Sequence, residues 1–591
     1  MRGSKMSYIG SVFCLIAFLA EWFSMWKSKK TDEKINAISW LCFSFSITLC
    51  LIALCAGIIN LVHIPVTKVS VGIICAVLAG VNFVRMKRYG GQKYNWDKLQ
   101  IIGTVFIAVL VYYYFVKNYG WGWNFVFRNS DAAVHMQNGL AVLKSGHISG
   151  MYFASLFNGI LYDIFGAFIP RILWYRIYLL SELVMFFAEI LTFSCVLFAF
   201  CKNKKEKLLS YIVTILYTIG YPLLSFEMNF YYWGIAVMFV AVSAFMIKQY
   251  KENIIERKII EFYLMLLCFG VFISYMMVAP AMYFAIFFSL VIIKSQEGKI
   301  LTGENVLLAL KVFLLPCLLG LFYSYYSWFV KNGMSVSGTA VIEGGTYTQL
   351  YTDFMFLIPL AVYYIVAQII NKKLDVYVAY LLSFGGVTVV MLRLLSIGKM
   401  SSYYYSKCYY PLWFVLFLIG FLVLEYFMDR QKEMLITVII LVAGLALIDN
   451  RGVETWLLQE TKLFDVNYSH EMFSLYNWNK MISNKPVIIQ DNFMPVCSWS
   501  LDNAENEQVP LITGNETYFY QYYYDAITGQ DSTVCCGFWY SVDELKQRFQ
   551  SEDIEYAVIV KEGGLYTENQ TFWDSFDVVN QYGQFCVIHI N

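Results

Sequence analysis

Phe127-Arg-Asn-Ser-Asp-Ala-Ala-Val-His-Met136 is the stretch on which the reading of this chain turns. It lies in the longest interruption between apolar runs in the first two-thirds of the sequence, and everything before it has the character of membrane anchoring. It carries Arg128, Asp131 and His135, and the last two are four apart, so on a helix they share one face. A carboxylate beside an imidazole at the level of lipid headgroups suits proton abstraction or phosphate chemistry. The stretch is the expected active-site loop.

Working outward, composition fixes the class. Hydrophobic residues make up 59% of the chain, aromatic residues 18% and charged residues only 14%, with a mean hydropathy of +0.56. Those values exclude an ordinary soluble protein. Apolar runs recur at lengths that suit spans of about 20 residues across a hydrocarbon core of roughly 30 Å. The net charge of +1 hides an uneven distribution: Arg451 to Asn591 holds 20 Asp and Glu against 7 Lys and Arg, a net of −13, which leaves +14 for the remainder. Basic membrane loops and an acidic tail point to opposite sides of a bilayer.

Basic clusters then set the order of spans. Ser7 to Trp26 is a first span, uncleaved because no small-residue processing site follows it. Lys27, Lys29, Lys30 and Lys34 mark an inner loop, and Arg85, Lys87, Arg88, Lys93 and Lys98 mark the next one. The fourth span, from about Leu99 to Val116, therefore delivers residues 117–176, and the opening stretch within them, to the exterior. Continuing the count gives about fourteen spans, the last near residues 435–447. The basic residues outside this pattern, Arg171 with Arg176 and Arg393 with Lys399 and Lys407, flank the candidate site. The expected organisation is N-terminal transmembrane helices over 1–98, a transmembrane module over 99–449 and a small extracytoplasmic α/β domain over 450–591.

The tail carries short β-rich runs at 485–490, 509–513, 556–560 and 585–589. Ser541 with Glu544 three residues later forms a capping signal for a helix running through Leu545 to Phe549. Cys497, Cys535, Cys536 and Cys586 lie in this domain, where an oxidising exterior permits disulfides. Their spacing leaves connectivity open.

About a dozen helices, a first long external loop with an acid opening a juxtamembrane helix, and an external α/β tail together resemble the GT-C superfamily of polyprenyl-phosphate-dependent glycosyltransferases. The residues that carry the resemblance are Asn129-Ser-Asp-Ala-Ala-Val-His135, the amphipathic Gln137 to Lys144, and Tyr162-Asp-Ile-Phe-Gly166. The resemblance implies a polytopic helical fold, Asp131 as catalytic base, and a sugar donor borne on a lipid phosphate. Family members often pair two acids in this loop, whereas here Asp131 stands alone. No cofactor is therefore the first expectation, with a divalent cation as the alternative. Three spans also precede the first helix that the resemblance calls for, which suits an appended anchor or partner surface.

Transfer from such a donor to a cell-surface glycan or glycolipid needs a base for the acceptor hydroxyl, cations for the leaving phosphate and a greasy groove for the lipid. Asp131 supplies the first; Arg393, Lys399, Lys407 and Arg171 are candidates for the second. Arg128, His135, Glu227 and Tyr404 complete the expected substrate contacts. Tyr403 to Tyr405 with Tyr409 and Tyr410 surround Lys407, and Tyr231, Tyr232 and Trp233 follow Glu227, offering faces that stack on sugars or form an interfacial belt. Each has a plainer reading: Asp131 as the cap of a helix beginning at Ala132, Lys407 as a snorkelling interfacial lysine, and His135 as a packing residue. Glu21 is singled out as the acid inside an apolar span, which marks either a pair in the bundle or a functional path. The rival function is a flippase or transporter of a lipid-linked saccharide. Gly-rich phosphate loops with a following Lys-Ser or Lys-Thr do not occur, and neither an ATP motor nor a nucleic-acid partner is expected.

Overall fold

A computed structural model describes residues 2–27, 36–89, 94–124, 131–148, 152–298, 302–330, 357–371, 374–427, 492–503 and 508–590. Arg128, the Glu343-Gly-Gly-Thr346 segment, the expected span at 435–447 and the expected strand at 485–490 lie outside the described residues.

The helices run α1 Arg2–Lys27, α2 Ala37–Leu61, α3 Lys68–Tyr89, α4 Lys98–Tyr119, α5 Asp131–Ser145, α6 Tyr152–Phe165, α7 Tyr175–Phe198, α8 Lys204–Thr218, α9 Tyr221–Glu227, α10 Tyr231–Glu252, α11 Arg257–Ser274 and α12 Ala279–Gln296. They continue with α13 Gly303–Ala309, α14 Leu315–Gly320, α15 Ile358–Ile370, α16 Val376–Ser396, α17 Ser402–Ser406 and α18 Tyr409–Phe427. Among the described residues ten helices are long and apolar enough to cross a membrane, or eleven if the bent pair α8 and α9 is one span. The expectation of about fourteen spans holds in its coarser form, a mostly helical chain with about ten candidate spans among the described residues. Helix α11 opens on Arg257, Lys258 and Glu261, too many charges for an apolar span, and α15 has only 13 residues.

The amphipathic reading of the opening loop becomes two short helices, α5 and α6, packed on each other through Gly139 and Gly159. A Cβ on Gly139 would stand 2.7 Å from Asn158 Cβ, so the close approach requires glycine there. The most buried span is α10, surrounded by α7, α11 and α18. At one end of the bundle, ion pairs tie helix termini together: Asp97 with Lys207 at 2.5 Å, Lys202 with Glu425 at 2.9 Å, Lys251 with Asp375 at 2.9 Å and Arg257 with Glu297 at 2.5 Å. These are the ends whose basic clusters the sequence groups on one side. Helices α5 and α6 lie at the other.

The tail folds as α19 Phe493–Asn503, β1 Leu511–Ile512, α20 Phe519–Thr528, α21 Val542–Ser551, β2 Tyr556–Val560, α22 Gly564–Thr567, α23 Gln570–Trp573, β3 Asp577–Tyr582 and β4 Phe585–His589. The sheet order is β1-β2-β4-β3, with β1 parallel to β2 and the other pairs antiparallel. Ser541 and Glu544 form the reciprocal cap that their spacing predicts. All fourteen cysteines are free thiols, so none of the disulfides that an exterior would permit is formed.

Candidate functional site

Helix α5 is described from Asp131 onward, and the carboxylate stands in its first turn, where the helix dipole favours negative charge. One turn on, the His135 ring is buried against the edges of Tyr231 and Tyr232, with centroids at 6.0 and 5.0 Å. Neither ring nitrogen has a hydrogen-bond partner among the described residues. Burial, and after it the nearby positive charge of Lys407, pushes the imidazole down to about 3, so His135 is neutral at physiological pH. The spacing of Asp131 and His135 thus places an acid at the rim and a neutral imidazole beneath it.

Lys407 closes the site from the far side of the sequence. It follows α17 and precedes α18, is only 2% exposed, and its Nζ lies 3.2 Å from the Phe230 centroid, 4.6 Å from Trp233 and 4.8 Å from Tyr403. Tyr232 and Tyr275 stand further out, at 5.8 and 6.0 Å. Trp233 Nε1 donates to the Lys407 carbonyl at 3.1 Å and locks the two segments together. The ammonium is therefore held in a box of rings rather than snorkelling to a surface.

The box depends on the turn between α9 and α10. Asn229 adopts φ 59°, a left-handed conformation that Asn tolerates better than most residues, and this turns the chain so that Phe230 to Trp233 face Lys407 and His135. Its side chain is fixed by Glu182 on α7: Nδ2 donates to both carboxylate oxygens at 3.0 Å and to Tyr119 Oη at 2.7 Å, while Tyr119 Oη donates to Glu182 at 2.6 Å. Beside it Ser181 donates to Asn158 at 3.2 Å, and Asn158 donates to Tyr231 Oη at 2.7 Å. Two turns along the same face of α7, Glu189 accepts from Tyr217 and Tyr410. A Cβ at Gly234 would meet Glu189 Oε2, so the glycine leaves room for the carboxylate at that crossing.

Glu182 and Glu189 were missed in the sequence although they carry the signal applied to Glu21, an acid inside an apolar span. Glu21 itself accepts from Asn82 at 3.1 Å, bracing α1 against α3 away from the site. Of the expected cations, Lys407 joins Asp131 and His135. Arg393 is exposed at the end of α16, where it bonds Ser396, and Lys399 is exposed in the following turn. Arg171 lies over Trp174 and donates to the Ala526 carbonyl at 3.0 Å. Glu227 is buried at the end of α9, and Tyr404 is half-buried beside Tyr403.

The chain matches no protein-family model and no curated protein sequence. Among the described residues no group of three or more His, Cys, Asp or Glu is placed to hold a metal ion. What the arrangement can do follows from its parts. A carboxylate at the rim accepts a proton, a desolvated ammonium stabilises an anion, and aromatic walls exclude water and strengthen both effects.

Proposed function

We propose that the protein is an integral membrane glycosyltransferase that moves a sugar from a polyprenyl-phosphate donor to a cell-surface glycan or glycolipid, with α5 and the C-terminal domain on the extracytoplasmic side. The observation that supports this reading is the convergence of Asp131, His135 and the ring-boxed Lys407 at one end of an apolar bundle. In the reaction, Asp131 takes the proton of the acceptor hydroxyl as its oxygen bonds to the anomeric carbon. The bond from that carbon to the phosphate oxygen breaks, and the polyprenyl phosphate leaves with its negative charge facing Lys407. His135, held neutral, keeps the floor of the site free of a second positive charge.

A flippase for the same lipid would use the same cation and the same greasy walls, but it has no need of a base. Purified protein is incubated with short-chain polyprenyl-phosphosugars and scored for a new glycosidic product. In parallel, vesicles carrying the protein are scored for lipid translocation. Product formation supports the transferase; translocation without product by wild-type protein and by Asp131→Asn alike would replace it with the flippase.

A further inference from the structure

A second polar site lies at the far end of α10 from the ring box. Tyr231 opens that helix beside His135, and Gln249 stands 18 residues further along, which at about 1.5 Å per residue sets the two about 27 Å apart along the axis. There the chain encloses a cavity of about 220 Å³, against roughly 30 Å³ for a water molecule in the liquid. Its walls come from helix ends. Asp97 caps α4, Lys207 lies in the first turn of α8, and Lys248 and Gln249 lie in the last turns of α10, with Phe198 and Phe245 as apolar faces.

Three of these side chains keep capacity for a ligand. Gln249 is only 3% exposed, and its Oε1 has no hydrogen-bond partner among the described residues, so a buried acceptor faces the cavity in need of a donor. Lys207 Nζ pairs with Asp97 at 2.5 Å and Lys248 Nζ with Glu252 at 2.7 Å. An ammonium carries three donors, so each lysine has one to spare after its carboxylate is served. Phe198 lies 4.9 Å from Lys207 Nζ and Phe200 lies 5.3 Å from Lys248 Nζ, which steadies both cations. Glu252 is exposed and stands outside the lining, so the walls present two ammonium groups against the single carboxylate of Asp97, a net of +1.

That lining describes its ligand: one negative charge for the lysines, a hydroxyl for Gln249 Oε1 and an apolar body for the phenylalanines. The cavity sits at the end of the bundle where the basic clusters gather, and basic pockets between membrane helices at that level suit lipid headgroups. We propose that this cavity binds the head of an anionic phospholipid, with its phosphodiester against Lys207 and Lys248 and a head hydroxyl donating to Gln249 Oε1. The inference does not rest on the transferase reading.

Full-length protein, delipidated in detergent, is titrated with short-chain phosphatidylglycerol and separately with phosphatidylcholine, whose head carries no donor. Retained lipid is counted by native mass spectrometry. The expected result is one phosphatidylglycerol held about tenfold more tightly than phosphatidylcholine, the size of one charge contact or hydrogen bond. Gln249→Leu and Lys248→Met should each abolish that preference, with melting in the absence of lipid as in wild type. Lys248 stands at the half-buried rim, so its variant decides the question even where the Gln249 variant fails to fold. Equal retention of the two lipids by wild type, or an undiminished preference in the Lys248 variant, would overturn the site. Glycerophosphoglycerol, the same head without acyl chains, tests the source: binding as tight as that of the lipid would overturn a lipid occupant.

Discussion

Replacing Lys407 with Met separates function from stability. The side chain is buried with three ring centroids within 5 Å of Nζ. Met retains the stem and its packing but loses the cation–π attraction, worth about 2 kcal/mol when desolvated. Against that stands the desolvation of an ammonium, which costs several kcal/mol and disappears in the variant. The two terms oppose each other, so Lys407→Met should fold with an unchanged or higher melting temperature. Transfer behaves differently. A unit positive charge about 4 Å from the leaving phosphate at an effective dielectric of about 20 contributes about 4 kcal/mol, and its loss lowers kcat/KM by roughly a thousandfold. The assay is transfer from a lipid phosphosugar by purified variant and wild type, with thermal melts on the same preparations. A Lys407→Met protein that melts normally and transfers within tenfold of wild type would refute the assignment of the ammonium to the phosphate.

Three further outcomes follow from the surroundings. Asn229→Ala removes the donor from which Glu182 accepts and loses asparagine's tolerance of the left-handed conformation; a loss of about 2 to 4 kcal/mol is expected from an unsatisfied buried acceptor plus the backbone term, with Asn229→Gly recovering the backbone part in thermal melts. His135 is held down to about 3 by burial and then by Lys407, whereas in the unfolded chain it titrates near 6.5. Its contribution is therefore intact above the unfolded value, and as pH falls through 6.5 toward 3 the unfolded state alone takes up the proton, eroding stability by about 1.4 kcal/mol per pH unit; melts of His135→Phe should lose that part of the acid slope, and an identical slope would count against it. Asp525, in the C-terminal domain, is raised well above the ordinary carboxylate range by burial, although Ser532 donates to it from backbone and hydroxyl. Its stabilising contribution is full below the unfolded carboxylate value and is lost as pH rises through the raised folded value, so Asp525→Asn should gain on wild type as pH rises above about 4, read as the difference in melting temperature.

How much of this was legible in the sequence depends on the range over which each signal acts. Composition and apolar run length reported the helical membrane bundle because those quantities are local. The Ser541 and Glu544 cap and the strands at 556–560 and 585–589 were legible for the same reason, since turn chemistry and β-branched runs lie within a few residues. The strand Asp577–Tyr582 was not: its residues are mostly exposed and polar, and its place on the sheet edge is set by pairing with β4. In the site, Asp131 and His135 were visible as an i, i+4 pair, and Lys407 as a lysine among tyrosines. The ring box around Lys407 was not visible, because Phe230 and Trp233 lie more than 170 residues away and Trp233 reaches it through a backbone carbonyl. Glu182 was overlooked because α7 is otherwise apolar, and its partners come from α4 and from the turn after α9. The docking of α20 was illegible for the same reason, since its bonds, two from α5 and one from Arg171, go to main-chain carbonyls, which leave no side-chain pattern to read.

The central claim is that Asp131 removes a proton as a sugar leaves a lipid phosphate. Its most direct test is single-turnover transfer of radiolabelled sugar from short-chain polyprenyl-phosphosugars by purified protein, wild type beside Asp131→Asn, with donor binding measured on both. The account predicts transfer by wild type and a loss of at least a hundredfold in the variant, with donor affinity retained. Equal transfer by both proteins would contradict it.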